Sequence, residues 1–421
     1  MIRTIAAKEI RENLNSFKFT IIFILLAALI SVSLFVMYSD YQIRLENYQI
    51  LKPDSSEPVA IVAPTPLSIF AKGLDGNIGR SFRVVFGGQL QVGGNQHSAN
   101  ALFRLFTVPD MLFIVKVILA LCALLFSFDM ISGEKETKTL SLALANSVRR
   151  STFLIGKWLG GFLTLIVPFI LLTLAGIIII SLSPSVQFSG GDWMKLGLII
   201  FSSIVYTAIF ISLGMFVSCI TRRSSSSMVV SLFLWAVIVF VIPNLGNTLA
   251  RQFIDIPSVR QIEMKRDQVW IKEIFLFIRT MKAGDNSATQ DEVMQNINNE
   301  NTMIMADYRA RFNGLVALSK NITRLSPAAT FTHLATDFAG TGIREETRVK
   351  EAVLRYKDNV WDKPTDSGGN ILGEFPAFTF SRSTVGEVIS TEGMLNITIL
   401  VLLNMLIFVM AFVAFLQYDI R

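Results

Sequence analysis

The sequence predicts an all-α polytopic membrane protein with six transmembrane helices. Of its 421 residues, 52% are hydrophobic and only 17% are charged, whereas about 25% charged residues is usual in soluble domains. Six apolar segments are long enough to cross a bilayer core of about 30 Å, which takes roughly 20 residues. Each segment must be helical, because hydrocarbon contains no water to bond to free backbone groups.

The predicted spans are 19–38, 109–128, 154–182, 193–220, 228–245 and 394–416. The third contains Pro168, which predicts a kink or a tilt. A cleaved signal peptide is an alternative for the first span. Its apolar stretch is too long for one, however, and Met37-Tyr38-Ser39-Asp40 offers no small-x-small cleavage site. We therefore predict a retained anchor.

Residues 1–18 predict an amphipathic helix that lies on the membrane surface. One face of this helix is apolar and consists of Ile2, Ile5, Ala6, Ile10, Leu14 and Phe17. The other face is charged and consists of Arg3, Lys8, Glu9, Arg11 and Glu12. This spacing is typical of an interfacial helix. A soluble helix that binds a partner is the alternative.

Lysine and arginine in the short loops predict the orientation, since cytoplasmic loops carry the excess of these residues. The predicted cytoplasmic cations are Arg3, Lys8, Arg11, Lys18, Lys135, Lys138, Arg149, Arg150, Lys157, Arg222, Arg223 and Arg421. The short loop 183–192 has no Lys or Arg. Both termini and the segment 129–153 are therefore predicted to be cytoplasmic. The positive residues that give the net charge of +6 lie in short segments beside the apolar spans and do not form one basic face. The charge therefore does not predict a nucleic-acid partner.

Two long segments, 39–108 and 246–393, are then extracytoplasmic and predict a mixed α/β region. In the first, Val59 to Val62 and Phe82 to Phe86 are typical of strands between Pro- and Gly-rich turns. The second is mostly helical by pattern. Its predicted helices run from Val259 to Lys282, from the capping box Thr289-Gln290-Asp291-Glu292 to about Arg324, and from Glu345 to Trp361.

The sequence predicts no enzyme activity and no cofactor or metal bound by this chain. It has no Gly-x-x-x-x-Gly-Lys-Ser/Thr loop for ATP phosphates. It has no His-Glu-x-x-His or Cys-x-x-Cys for zinc. Its two cysteines, Cys122 and Cys219, both lie in apolar segments, so the long loops are not disulfide-linked scaffolds.

The segment 129–153 predicts a short amphipathic helix between the second and third spans. Leu140 and Leu144 are four residues apart and lie on one side. Glu134, Lys135, Glu136 and Lys138 are expected to remain in solvent. A helix held between two spans could press on a cytoplasmic partner and transmit its motion to both. An ordinary charged loop that obeys the positive-inside rule is the alternative.

Two ionisable residues near the start of the second span invite a functional hypothesis, because a charge at the bilayer centre costs at least about 2.5–3.5 kcal/mol. Lys116 could extend back to the outer surface or line a polar translocation path. Asp110 follows Pro109, where a carboxylate is expected to cap the free N–H groups of the helix.

Several motifs resemble those of ABC exporter permeases whose ATPase is a separate polypeptide. The segments Gly133-Glu134-Lys135-Glu136, Thr139-Leu140, Arg149-Arg150 and Gly156-Lys157 resemble the signature of their cytoplasmic loop. Weaker resemblances cover 64–70, 325–328, 339–342 and 418–421, so that the likeness spans nearly the whole chain. Lys138 departs from the family, which often has Gly there. We expect this departure to alter the helix start more than the contact with the ATPase.

This resemblance implies a coupling helix that docks on a cytoplasmic ABC ATPase, and it implies that residues 1–18 form the family's elbow helix. The implied coupling residues are Gly133, Glu134, Lys135, Glu136, Thr139, Leu140, Leu144, Arg149, Arg150 and Lys157. Of these, Glu134, Lys135, Glu136 and Arg149 are expected to form the charged docking face, with Leu140 and Leu144 packed.

The implied complex lies in the bacterial inner membrane, surrounded by lipid. It contains two copies of the ATPase, which bind ATP and Mg, and a second permease that is either another copy or a sister chain. One alternative function is mechanotransmission, in which the ectodomain moves without transport across the bilayer. Another is a receptor with an extracytoplasmic ligand domain, which would need no ATPase.

Overall fold

The computed structural model describes residues 1–51, 58–85, 89–93, 109–145, 149–282, 290–361 and 375–417. Within these residues, six helices are long and apolar enough to cross a membrane, which confirms the predicted fold class. They are α2 (Phe17–Leu51), α4 with its continuation (Met111–Glu136), α7 (Arg150–Ser181), α8 (Gly190–Ile220), α9 (Ser224–Phe253) and α14 (Val385–Leu416).

Several of these helices are longer than the predicted spans. Helix α2 continues to Leu51, although its span was predicted to end at Tyr38. The apolar pattern of a span ends where the chain leaves the hydrocarbon, but the helix itself can continue into water. It can continue until a helix-breaking residue, and the next such residue in the sequence is Pro53. Helix α7 runs unbroken through Pro168.

Three span helices contain a π-helical segment, where the backbone hydrogen bonds skip one extra residue. These segments are Ile114–Leu119 in α4, Val237–Val241 in α9 and Ile389–Gly393 in α14. Helix α4 consists of Met111–Phe113, its π segment and Ala120–Ser127. At its start, Asp110 Oδ1 accepts a hydrogen bond from the backbone N–H of Phe113 at 2.9 Å, as the predicted cap requires.

The chain forms two compact units, 1–239 with 327–421, and 240–326. The range 246–393, predicted as one helical region, is therefore divided between them. In the first unit, α8 lies at the centre and packs against α4, α7, α14 and α12 (Pro327–Ala339). Helix α12 is buried almost all round, because its Ala, Thr and Phe side chains allow close packing on the spans. Its Phe331 ring stacks on Tyr206 of α8, with 4.8 Å between centroids.

A small sheet forms a second core in the first unit. Strands β1 (Val59–Ala60), β2 (Phe82–Val85) and β3 (Gln89–Val92) are antiparallel in that order. Helix α13 (Ile343–Trp361) packs against the sheet. The core residues they share are Ala60, Val62, Ile78, Val84, Val349, Val353, Tyr356 and Val360.

A buried charge network lies at the short helix α3 (Asp75–Ile78). The Asp75 side chain is only 1% exposed and forms ion pairs with Arg44 of α2 and Arg382. Arg382 Nη2 lies 3.2 Å from Asp75 Oδ1 and donates to the carbonyl of Ala63 at 2.7 Å. Arg44 also bonds to Asp40 at 2.9 Å. The network therefore joins three segments that are far apart in sequence.

The second unit contains the last part of α9 together with α10 (Val259–Lys282) and α11 (Gln290–Thr323). Helix α10 has the predicted bounds, whereas Thr289 of the predicted capping box lies outside the described residues. Helix α11 packs on both of its neighbours. Lys272 bonds to Glu300 at 3.1 Å across α10 and α11. Gly246 of α9 fits tightly against Thr323 and Ser319 of α11.

Candidate functional site

The segment 129–149 contains two short helices that meet at a sharp turn. Helix α5 (Ser132–Glu136) is followed by Thr137 and Lys138, and then by α6 (Thr139–Ala145). Lys138 has φ +61, a left-handed conformation that favours glycine. A glycine would adopt this conformation without strain, and in this chain a lysine occupies the turn between α5 and α6.

An ion cluster fixes α5 to two other helices. Lys157 of α7 lies 3.0 Å from Glu9 of α1 (Ile2–Leu14) and 2.8 Å from Glu134. The Lys157 side chain is 7% exposed. Burial raises the pKa of the Glu9 carboxyl, and the nearby Lys157 ammonium opposes this rise without cancelling it. One lysine therefore connects the N-terminal helix, the third span and the loop.

Glycines on α7 allow α1 to approach closely enough for this cluster to form. A Cβ on Gly160 would lie 2.5 Å from Glu9 Cβ, and one on Gly156 would lie 2.8 Å from Ile5 Cβ. Glu9 was predicted on the solvent-facing side of α1, and that prediction is wrong, since Glu9 is buried. The helix turns Ile5, Ala6 and Glu9 toward the glycines because Lys157 compensates the buried carboxylate.

Lys135 and Glu136 bond to the ends of two span helices. Lys135 Nζ donates to the carbonyls of Ser218, Cys219 and Thr221 at the C-terminus of α8. Glu136 Oε2 accepts the N–H of Ser224 at 3.1 Å, at the N-terminus of α9. A cation at a helix C-terminus and a carboxylate at an N-terminus both match the sign of the helix dipole. The loop is therefore bonded to the end of the fourth span and to the start of the fifth.

The base of the loop is anchored by hydroxyl groups. Ser218 Oγ accepts the backbone N–H groups of Ile131 at 2.9 Å and Ser132 at 2.8 Å. Ser227 of α9 donates to the carbonyl of Phe128 at 2.6 Å. Asp129 forms an ion pair with Lys18 at the start of α2.

Arg150 and Arg149 have different environments, although they are adjacent. Arg150 Nη1 donates to the carbonyl of Leu416 at 2.7 Å, at the C-terminus of α14. Arg149, the residue before α7, is exposed. The loop thus contacts α2, α7, α8 and α9, and Arg150 at the start of α7 contacts α14.

These contacts change the predicted docking face. Glu134 and Lys135 were expected in solvent, but both are half-buried and are bonded to other elements of the protein. Glu136 and Lys138 are exposed, as expected. Leu140 is buried at 1%, whereas the Leu144 side chain lies outside the described part of the chain. The tip of the loop, which consists of Lys138, Thr139, Ser141 and Leu142, is also exposed.

Lys116, the predicted residue of a polar path, lies in the π segment of α4 and is half-buried. Tyr206 of α8, which is fully buried, donates to the carbonyl of Lys116 at 2.7 Å. The carbonyl of a residue in this π segment therefore has a side-chain donor from a neighbouring span.

Sequence reasoning identified Lys157 and the loop but missed Glu9, Ser218 and Tyr206. Glu9 carries a weak signal, because it follows Ile2, Ile5 and Ala6 at helical spacing, one turn further along the same side. Ser218 and Tyr206 lie within apolar spans, where a single polar residue does not indicate its partner.

The family comparison adds one finding to this geometry. The family model described as ABC-2 family transporter protein matches residues 3–420. A comparison of the sequence with curated proteins gives no match.

Proposed function

The chain belongs to the ABC-2 family of transporter proteins, and on this premise we propose that it is the permease subunit of an ATP-driven exporter. Membership in the family makes it a membrane subunit of an ABC transporter. The proposed partner is a separate cytoplasmic ATPase in two copies, which binds ATP and Mg. The permease pairs with a second copy of itself or with a sister chain. We also propose the inner membrane as its location, with both termini in the cytoplasm.

The observation that carries this proposal is the bonding of the 129–149 loop to the span ends. Lys135 contacts α8, Glu136 contacts α9, and Glu134 contacts α7 through Lys157. A force applied to the loop would therefore act on three span helices and, through Glu9, on α1. A charged loop that only obeyed a topology rule would not need these contacts. They support the role of a lever.

The exposed tip is the proposed ATPase contact. Leu142 is 69% exposed, and Lys138 lies at the turn just before it. The charged residues Glu134, Lys135 and Glu136 are assigned to transmission within the permease rather than to docking. Exposed Arg149 remains a candidate docking residue.

The test uses the purified complex of the permease with its ATPase. Leu142→Glu should abolish the stimulation of ATP hydrolysis by the permease, because it places a carboxylate in an apolar contact. The thermal stability of the permease alone should not change. Leu182→Glu is the matched control, since Leu182 is also exposed (79%) but precedes the loop 183–192. Normal stimulation in Leu142→Glu would refute docking at the tip.

The orientation can be tested with a membrane-impermeant thiol reagent on intact cells. The native thiols Cys122 and Cys219 are 2% and 4% exposed, so they provide a low background. Ser141→Cys should react only after the membrane is permeabilised, whereas Gln187→Cys should react in intact cells. Labelling of Ser141→Cys in intact cells would place the loop outside and would exclude contact with a cytoplasmic motor.

Mechanotransmission is supported by two observations. Glu136 bonds to Ser224 at the start of α9, and the segments 39–108 and 246–393 are long enough to form an ectodomain that moves. If ATP hydrolysis responds to changes in α10 and α11 but not to changes at Lys116, mechanotransmission is favoured over transport.

A further inference from the structure

Lys116 differs from the other lysines in the six span helices. The other four lysines have partners: Lys18 bonds to Asp129, Lys135 to backbone carbonyls, Lys157 to two glutamates and Lys195 to the carbonyl of Ser383. Among the described residues, Lys116 Nζ has no hydrogen-bond or ion-pair partner.

Asp110, the nearest carboxylate on the same helix, caps the helix and forms no ion pair with Lys116 in the part of the chain that the structure describes. Its two oxygens accept backbone N–H groups, from Phe113 at 2.9 Å and from Lys72 at 3.0 Å. No ion pair within 4.0 Å joins Asp110 to Lys116 among the described residues. The ammonium therefore has a neighbouring negative charge but no direct acceptor.

Lys116 lies in the π segment of α4, and its neighbours in the chain differ in burial. Ile114, Val115 and Val117 are buried at 0–6% against neighbouring elements. Phe113, three residues before Lys116, is 39% exposed. The bond from Tyr206 to the Lys116 carbonyl holds the backbone of this segment in place. Lys116 and the exposed Phe113 thus lie three residues apart on a stretch of backbone that is held in place.

A lysine within an apolar span is costly unless its ammonium reaches water or an anion. Lys116 is five residues from the start of α4, or about 8 Å by helix rise, which corresponds to the headgroup boundary of a bilayer. An anionic headgroup at this depth would be joined to hydrocarbon chains, which could lie beside Phe113. We propose that Lys116 and Phe113 form a binding site for an anionic amphiphile, with Lys116 holding its phosphate or carboxylate.

This inference deepens the proposed function at Lys116. Its test needs no ATPase, however, so it can fail while coupling through the 129–149 loop still holds. The full-length permease in neutral detergent is titrated with short-chain phosphatidylglycerol, and the shift of its melting temperature gives the affinity. Short-chain phosphatidylcholine and inorganic phosphate are titrated in parallel.

We expect phosphatidylglycerol to bind at least tenfold more tightly than either comparison ligand. Lys116→Met should lose this preference, whereas Lys116→Arg should keep it. Phe113→Ala should weaken the binding of phosphatidylglycerol more than the binding of phosphate. Lys265→Met is the matched control, since it removes an exposed lysine of α10 and should bind like the parent.

Three results would overturn the site. They are unchanged selectivity in Lys116→Met, equal affinity for the anionic and the zwitterionic lipid, and phosphate binding as tight as that of the lipid. If the site stands, its natural occupant is either a resident bilayer lipid or a transported amphiphile. Adding the ATPase with a non-hydrolysable ATP analogue distinguishes these sources, because cargo should be released when the ATPases close and a resident lipid should be retained.

Discussion

Lys157 in the third span forms an ion pair with Glu9 on the N-terminal helix, with 3.0 Å between Nζ and Oε2. The two residues are 148 positions apart in the chain. Because Lys157 also bonds to Glu134, the N-terminal helix shares one buried cation with the 129–149 loop. The N-terminal helix is therefore connected through Lys157 to the loop that we propose as a lever.

Removing this cation should strongly destabilise the protein. Lys157→Met leaves Glu9 and Glu134 facing one another without compensation, and breaking a buried pair typically costs about 3–5 kcal/mol. Glu9→Gln and Glu134→Gln should each cost less, because Lys157 keeps one carboxylate. Unfolding in detergent measures all three variants. Equal stability of Lys157→Met and the parent would contradict the role of the cluster.

Alanine should be tolerated poorly at Gly160 of α7 and well at Gly197 of α8. Gly160→Ala places a Cβ 2.5 Å from Glu9 Cβ and 3.1 Å from the carbonyl of Ala6, and such overpacking costs about 1–3 kcal/mol. Gly197→Ala is the matched control on α8, since a Cβ there meets nothing within 4 Å. It should be neutral or stabilising, because alanine favours a helix over glycine by about 0.5–1 kcal/mol. Melting temperatures of the two variants should therefore shift in different directions, and a common shift would argue against close packing of α1 on α7.

The hydroxyl of Tyr206 should stabilise the π segment of α4. Tyr206→Phe keeps the ring that stacks on Phe331 but removes the hydrogen bond to the Lys116 carbonyl, and the loss of such a bond costs about 0.5–1.5 kcal/mol. Amide hydrogen exchange should increase around Ile114–Leu119 more than elsewhere. Tyr308→Phe is the control, because among the described residues the Tyr308 hydroxyl makes no hydrogen bond. Unchanged exchange in Tyr206→Phe would mean that the π segment needs no such donor.

The buried Asp75 should be essential to the folding of the part of the first unit that contains the small sheet. Asp75→Ala leaves Arg44 and Arg382 close together without their shared anion, and we expect a loss of about 3–5 kcal/mol. The double variant Asp75→Ala with Arg382→Met should recover part of this loss, because it removes a cation that Asp75 no longer compensates. No recovery in the double variant would indicate that Arg382 contributes nothing to the network. Limited proteolysis of the region 58–93 can follow the local effect.

Much of the fold could be predicted from the sequence, because its main determinant is local. Six segments of sufficient length and hydropathy predict six helices wherever they pack. In hydrocarbon, a single apolar segment can satisfy all of its backbone hydrogen bonds within itself only as a helix. The same holds for α10, whose periodic apolar residues between Val259 and Lys282 predict its bounds. Helix ends were predicted less well, because α2 continues past the apolar stretch to Leu51.

The candidate site was predicted only in its location. Spacing alone indicated that 129–149 is amphipathic, but it placed Glu134 and Lys135 in solvent because no local pattern reveals a partner some 20 or 80 residues away. The partner of Lys157, likewise, depends on α1 reaching α7 across two glycines.

By itself, the sequence determined the number of spans, the loops between them and the short segment that could serve as a lever, because hydropathy and helical period act over neighbouring residues. Only the tertiary structure decided that Glu9 is buried, that Lys135 and Glu136 bond to the ends of two span helices, and that Tyr206 supports the backbone at Lys116. These are contacts between distant segments, and their energies depend on distances of about 3 Å that arise only when the helices are packed.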